Sequence, residues 1–138
     1  MKLIKVDDYQ TWYVEESNKA ILIDPWLTKK QVFPKFSWLL NRESTKKAYL
    51  LSNNLIEKVS HIIITAHFSD HLDAESLNMF SKSIPIYTTH EASKALLKLG
   101  FKNVYAVNKH NSYELNSCGL SVYEAGKPDN PTTFAYSL

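Results

Sequence analysis

The chain has 138 residues, a length that favours one domain, and its 44% hydrophobic and 22% charged residues suit a globular protein rather than a disordered, collagen-like or coiled-coil chain. Its longest strictly apolar runs, Ala20 to Ile23 and Ala48 to Leu51, fall far short of the ~20 residues that span a bilayer, so no membrane segment is expected. Sixteen basic residues face 14 acidic ones, the only arginine is Arg42 and no basic run exceeds two residues, which argues against dedicated nucleic-acid binding.

Asp7 and Asp8 stand where a signal peptide would carry its apolar stretch, so a cytoplasmic location is expected. Cys118, the single cysteine, has no internal disulfide partner and reads as an inert small residue in a turn-like stretch.

In chain order, Lys2 to Val6, Thr11 to Glu16 and Ala20 to Asp24 are rich in β-branched and aromatic residues, with Ser17-Asn18 as a turn signal. They predict an antiparallel β-meander whose last strand ends at Pro25, a residue that favours extended backbone at Asp24. Residues 26–60 carry Trp26, Phe33, Phe36 and Trp38 without a clean period, and Pro34 blocks a central helix. Short helices are expected near Lys46 to Leu51 and Asn54 to Val59. Trp26 is a candidate to line a site, with Trp12 and Trp38 assigned to the core.

From Ser60 the pattern is sharper. His61-Ile62-Ile63-Ile64-Thr65 predicts a strand buried on both faces, followed by a polar loop and a helix over Ala74 to Ser81. Ile84 to Thr88 is the next strand. Thr88 and Glu91 have capping-box spacing, and Ala92, Ala95, Leu96 and Leu99 form the stripe of a helix ended by Gly100. Asn103 to Val107 supplies a third strand, so this stretch predicts right-handed crossovers between parallel strands. Ser112 to Leu115 and Leu120 to Ala125 predict a hairpin, and Thr132 to Leu138 a further strand.

The concentrated set of metal-ligand types is Thr65-Ala66-His67-Phe68-Ser69-Asp70-His71-Leu72-Asp73, at the carboxyl end of a buried strand where sites in α/β sheets are built. Two imidazoles and a carboxylate suit a divalent ion such as zinc. The bland alternative is that Asp70 or Asp73 caps the helix near Ala74 while His67 and His71 hydrogen-bond to backbone. Spacing alone leaves both open. His61, His90 and His110 read as structural or solvated.

The run Ile62-Ile63-Ile64-Thr65-Ala66-His67-Phe68-Ser69-Asp70-His71 resembles the His-x-His-x-Asp-His motif of the metallo-β-lactamase-fold hydrolases, and Ile21-Leu22-Ile23-Asp24-Pro25 resembles the earlier strand whose acid supports the metal loop. The resemblance implies an α/β fold in which a β-meander is followed by β/α units, half of an αββα sandwich. It implies metal ligands at His67, Asp70 and His71, with Asp24 as the supporting acid. Ser69 stands where the motif has its second histidine.

The resemblance covers 1–138 as one domain, but only as an N-terminal half, and the Tyr123 to Pro128 region offers no histidine. A chain truncated at its C-terminus is therefore expected. The implied activity is that of a metal-dependent hydrolase: metal-bound water attacks an ester, lactone, amide or phosphoester, and Asp70 is the catalytic residue that orients it. Zinc is the expected cofactor, with iron or manganese as alternatives, and a chain with this depleted motif could also lack metal. The other reading is a non-catalytic, metal-site-depleted member that acts as a structural or partner-binding protein. A half-domain predicts self-association through an exposed sheet face or edge.

Overall fold

A computed structural model of the chain describes residues 1–6, 9–32, 41–43, 49–115, 118–124 and 134–137. Strands β1 (Lys2–Lys5), β2 (Trp12–Glu16) and β3 (Lys19–Ile23) form the antiparallel meander. Ser17 and Asn18 turn between the last two with φ of 50° and 64°, a region that asparagine tolerates better than most residues. Strands β4 (Lys30–Val32) and β5 (Asn41–Glu43) make a two-stranded ribbon that the residue pattern did not predict, because three-residue strands carry too little alternation to register.

Helix α1 is the single turn Tyr49–Ser52, and the rest of the helix expected from Lys46 lies outside the described residues. The helix expected over Asn54 to Val59 is a 3₁₀ turn at Ile56–Lys58, since Val59 already belongs to strand β6 (Val59–Ile64). After β6 come helix α2 (Ala74–Leu77), strand β7 (Ile86–Thr88), helix α3 (His90–Lys98) and strand β8 (Val104–Ala106). The main sheet has six strands in the order β1-β2-β3-β6-β7-β8, with β3, β6, β7 and β8 mutually parallel. A second sheet joins β9 (Ser112–Leu115), β10 (Cys118–Glu124) and β11 (Phe134–Ser137) in the order β11-β10-β9.

Alternation along β6 explains how the layers stack. Ile62 and Ile64, both fully buried, join Leu50, Leu77, Ala92 and Leu96 from the helices, whereas Ile63 points the other way and joins Leu115, Leu120 and Val122 from the second sheet. An apolar run without polar alternation is thus required because both faces of β6 are covered. The Ser60–Thr65 strand, its parallel neighbours and the terminal hairpin all appear where the residues predicted them.

Three local expectations are corrected. Helix α2 stops at Leu77 rather than Ser81, because Met79 and Phe80 N–H groups turn to the carbonyls of Ser76 and Leu77 in i→i+3 bonds that tighten and end the helix. The cap of α3 is Thr89, whose hydroxyl accepts from Ala92 N–H; Thr88 instead donates its hydroxyl to the Ile64 carbonyl across the sheet. Trp12 is exposed, with Lys5 Nζ 5.9 Å from the centre of its ring, rather than part of the core, and Trp38 lies outside the described residues. Gly100 does end α3, at φ 87°: its N–H bonds Leu97 O and the Phe101 N–H bonds Leu96 O, the paired closure that a left-handed residue allows.

Candidate metal centre

The site forms where β3 and β6 lie side by side in parallel, with Ile23 paired to Ile63. The register brings the residue after each strand, Asp24 and Thr65, together at the carboxyl ends of the two central strands. Asp24 N–H bonds Ile63 O at 2.9 Å, which continues the ladder one step beyond β3. The chain then leaves at φ 44°, not in the extended form expected before Pro25. Contacts outweigh the local preference: the Asp24 carbonyl accepts from Thr11 Oγ1 at 2.9 Å, and its carboxylate is engaged by three groups.

Those groups are the Thr65 N–H, 2.8 Å from Oδ1, the Thr65 hydroxyl, 2.5 Å from Oδ2, and His71 Nδ1, 2.9 Å from Oδ2. Asp24 is only 4% exposed, and these partners compensate the burial of its carboxylate. Because an ionised Asp24 carboxylate can only accept, Nδ1 is the donor to it, and in the neutral form of the ring Nε2 is the nitrogen left without a proton. The hydrogen bond to Asp24 raises the His71 pKa, against a downward pull from burial, and the charges of Asp24 and Asp70 add to the rise.

His71 and Asp70 approach each other through a tight turn in which Phe68 O accepts from both His71 N–H, at 2.9 Å, and Leu72 N–H, at 2.8 Å. Although adjacent in sequence, their side chains thereby converge, with His71 Nε2 3.8 Å from Asp70 Oδ2. Asp70 is held in turn by the Tyr9 hydroxyl, 3.3 Å from Oδ2, and by the Gln10 side-chain amide on its carbonyl.

His67 stands apart: it is exposed and its ring lies 4.2 Å, centroid to centroid, from that of Phe68. Among the described residues no group of three or more His, Cys, Asp or Glu side chains is arranged to hold a metal ion. Two of the three expected ligands therefore come together. The orienting carboxylate behind His71 is the arrangement that metal-binding histidines use. Asp70 and His71 place one carboxylate oxygen and one ring nitrogen side by side, which is two donors and not a complete set.

Asp73 serves the bland reading. Its Oδ2 accepts from the N–H of Ser76 at 3.2 Å and from the Ser76 hydroxyl at 2.5 Å, capping α2, and from Thr28 Oγ1 at 3.2 Å. Ser76 Oγ also accepts from Leu27 N–H, so the cap ties α2 to the segment after Pro25. The His71 ring bonds the Thr65 and Asp24 side chains, not backbone as that reading supposed. Trp26 is buried, at 4% exposure, with its N–H on Thr11 Oγ1 and its indole N–H on Thr28 Oγ1. Residue pattern did not single out Tyr9 or Gln10, which lie some sixty positions from Asp70 and carry no motif. Thr65 stood in the motif run but without a role, which its bonds to the Asp24 carboxylate now supply.

Comparison with known proteins bears on the fold. No protein-family model matches the sequence. The chain is 29% identical over 108 residues to the UPF0173 protein YddR of Bacillus subtilis, a match that covers 75% of this chain and 42% of that protein. It superposes on a possible metal-dependent hydrolase from Veillonella parvula with a TM-score of 0.68 and 24% identity, over 91% of this chain and 53% of that one. The metallo-β-lactamase IND-7 gives a TM-score of 0.55 at 16% identity, covering 91% of this chain and 52% of that one.

The fold is thus that of the metallo-β-lactamases, shared by solved structures that include a possible metal-dependent hydrolase, a metallo hydrolase from Ignicoccus hospitalis and a metallo-β-lactamase. The chain spans about half the length of the relatives it matches. No helix among the described residues is long and apolar enough to cross a membrane.

Proposed function

We propose that the chain carries the first portion of a metal-dependent hydrolase site, with Asp70 and His71 as ligands of a divalent cation and His67 swinging in as a third. The single observation that supports this most is the His71 ring, pinned at Nδ1 by buried Asp24 and open at Nε2 toward Asp70. A structural histidine would gain little from such one-sided engagement, whereas a ligand needs its tautomer and plane set in advance. Zinc, iron or manganese suits a His/Asp set, and the ion would supply Lewis-acid polarisation of the substrate and acidification of water.

The chain's own contribution is orientation. Asp24 and Thr65 fix the His71 ring, and the turn over residues 68–72 sets the carboxylate of Asp70 beside it. The substrate class that suits this chemistry is an ester, lactone, amide or phosphoester. With a serine at position 69 and the His67 ring exposed against Phe68 rather than beside Asp70 and His71, binding of the ion by this chain should be weak. Calorimetric titration of Zn²⁺ into the chain and into Ser69→His is the test. The variant should bind more tightly. Equal affinity in both forms would remove residue 69 from the coordination sphere, and loss of no affinity in His71→Ala would overturn the reading.

A further inference from the structure

We infer that Tyr9 is a positioning residue for Asp70, setting from the β1–β2 connection the carboxylate that Asp24 and Thr65 cannot reach. The inference rests on the proposed metal-site reading and adds a residue to it. Asp70 sits in a turn and is only partly buried, and the torsion that rotates a carboxylate about its Cβ–Cγ bond has broad, shallow minima. His71 Nε2, at 3.8 Å, is too far to fix that rotation by a hydrogen bond. The Tyr9 hydroxyl reaches the same oxygen, Oδ2, at 3.3 Å, and the neighbouring Gln10 amide holds the Asp70 carbonyl. Side chain and backbone of Asp70 are thus both gripped by consecutive residues of one segment.

That segment is itself anchored to the element that holds His71. The Tyr9 ring meets the buried Trp26 ring edge-on, with centroids 6.4 Å apart and planes at 88°, a favoured aromatic geometry. Trp26 N–H bonds Thr11 Oγ1, and Thr11 Oγ1 donates to the Asp24 carbonyl. One strand start therefore fixes both halves of the pair: Thr11 sets Asp24 and through it His71, while Tyr9 and Gln10 set Asp70. The contact at 3.3 Å is longer than a usual hydroxyl–carboxylate bond, so its effect is directional and moderate.

Cobalt(II) is the probe, added alone to the full chain, with affinity and visible absorption read for the unchanged chain, Tyr9→Phe, Gln10→Ala and Asp70→Asn. Tyr9→Phe keeps the ring seat on Trp26 and should retain the thermal midpoint, yet bind cobalt roughly tenfold more weakly with an altered band shape, at the low end of what outer partners contribute. Gln10→Ala should weaken binding in the same direction. Unaltered affinity and band shape in Tyr9→Phe, with binding lost in Asp70→Asn, would overturn the role of Tyr9 and leave the metal reading intact. Binding unaffected by Asp70→Asn would overturn the metal reading itself. Should the unchanged chain give no cobalt band, the Asp70 carboxyl ¹³C resonance of the metal-free protein decides: it shifts in Tyr9→Phe, with the Trp26 indole resonance in place, if Tyr9 holds the carboxylate, and a stationary resonance refutes it.

Discussion

Two β–α connections leave the same edge of the parallel sheet and are built to opposite ends. After β7 the chain enters α3 at once: Thr89 caps it, its apolar stripe packs on the sheet and Gly100 closes it. After β6 it runs through residues 65–73 before a helix of one turn, and most of the polar groups in that stretch bond other elements. The first design minimises loop and maximises helix. The second devotes a loop to presenting side chains, which is where sites on such sheets are found. A polar stretch that is longer than its helix needs is therefore informative about function, while a prompt cap is informative about stability.

The largest expected effect lies in the second kind of connection. Removing the carboxylate in Asp24→Ala strips the Thr65 N–H and the His71 ring of a buried partner and should cost about 3–5 kcal/mol in denaturant unfolding. A loss below ~1 kcal/mol would show that the loop relaxes freely and that the two connections differ less than their contacts suggest. Next in size are the caps. Asp73→Ala and Thr89→Ala each remove a side-chain acceptor from a helix start and should each cost about 1 kcal/mol. Asp73→Ala should be the worse of the two, because Thr28 also donates to Asp73; a larger loss for Thr89→Ala would reverse the ranking.

The smallest effect concerns His61, in the first half of the β6 strand that His71 follows. Burial, aided by the charge of Lys19, lowers the His61 pKa, the opposite of the shift at His71. The neutral form is favoured in the folded state, so the unfolded chain binds more protons on acidification. The contribution of His61 is fully present above its unfolded pKa of about 6.5 and is lost as pH falls through the lowered folded value. Thermal midpoints from pH 7.5 downward should therefore fall less steeply in His61→Gln than in the unchanged chain. Parallel profiles would show that His61 titrates alike in both states.

Legibility in the residues followed the range of the interaction responsible. The meander, the buried β6 run, the α3 stripe and its glycine stop were readable because alternation, period and capping act over a few positions. The length of α2 was not, since its end depends on i→i+3 bonds at Met79 and Phe80 rather than on a breaker. Thr88 and Thr89 offered two hydroxyls for one cap, and the sheet took the first. The site was half readable: Asp70 and His71 converge, but His67 leans on Phe68, and Tyr9 and Gln10 had no local signal.

By itself the sequence determined the β-meander, the β/α alternation and a loop rich in ligand types after a buried strand, because hydrophobic period and residue chemistry are local properties. The tertiary structure alone decided which of those residues act together. Asp24 meets His71 across 47 positions because β3 and β6 pair in parallel with Ile23 beside Ile63, and Tyr9 meets Asp70 across 61 because Trp26 seats its ring. The same packing holds Asp24 at a positive φ that its following proline disfavours, since the three groups bonded to its buried carboxylate outweigh a preference of one residue for extended backbone.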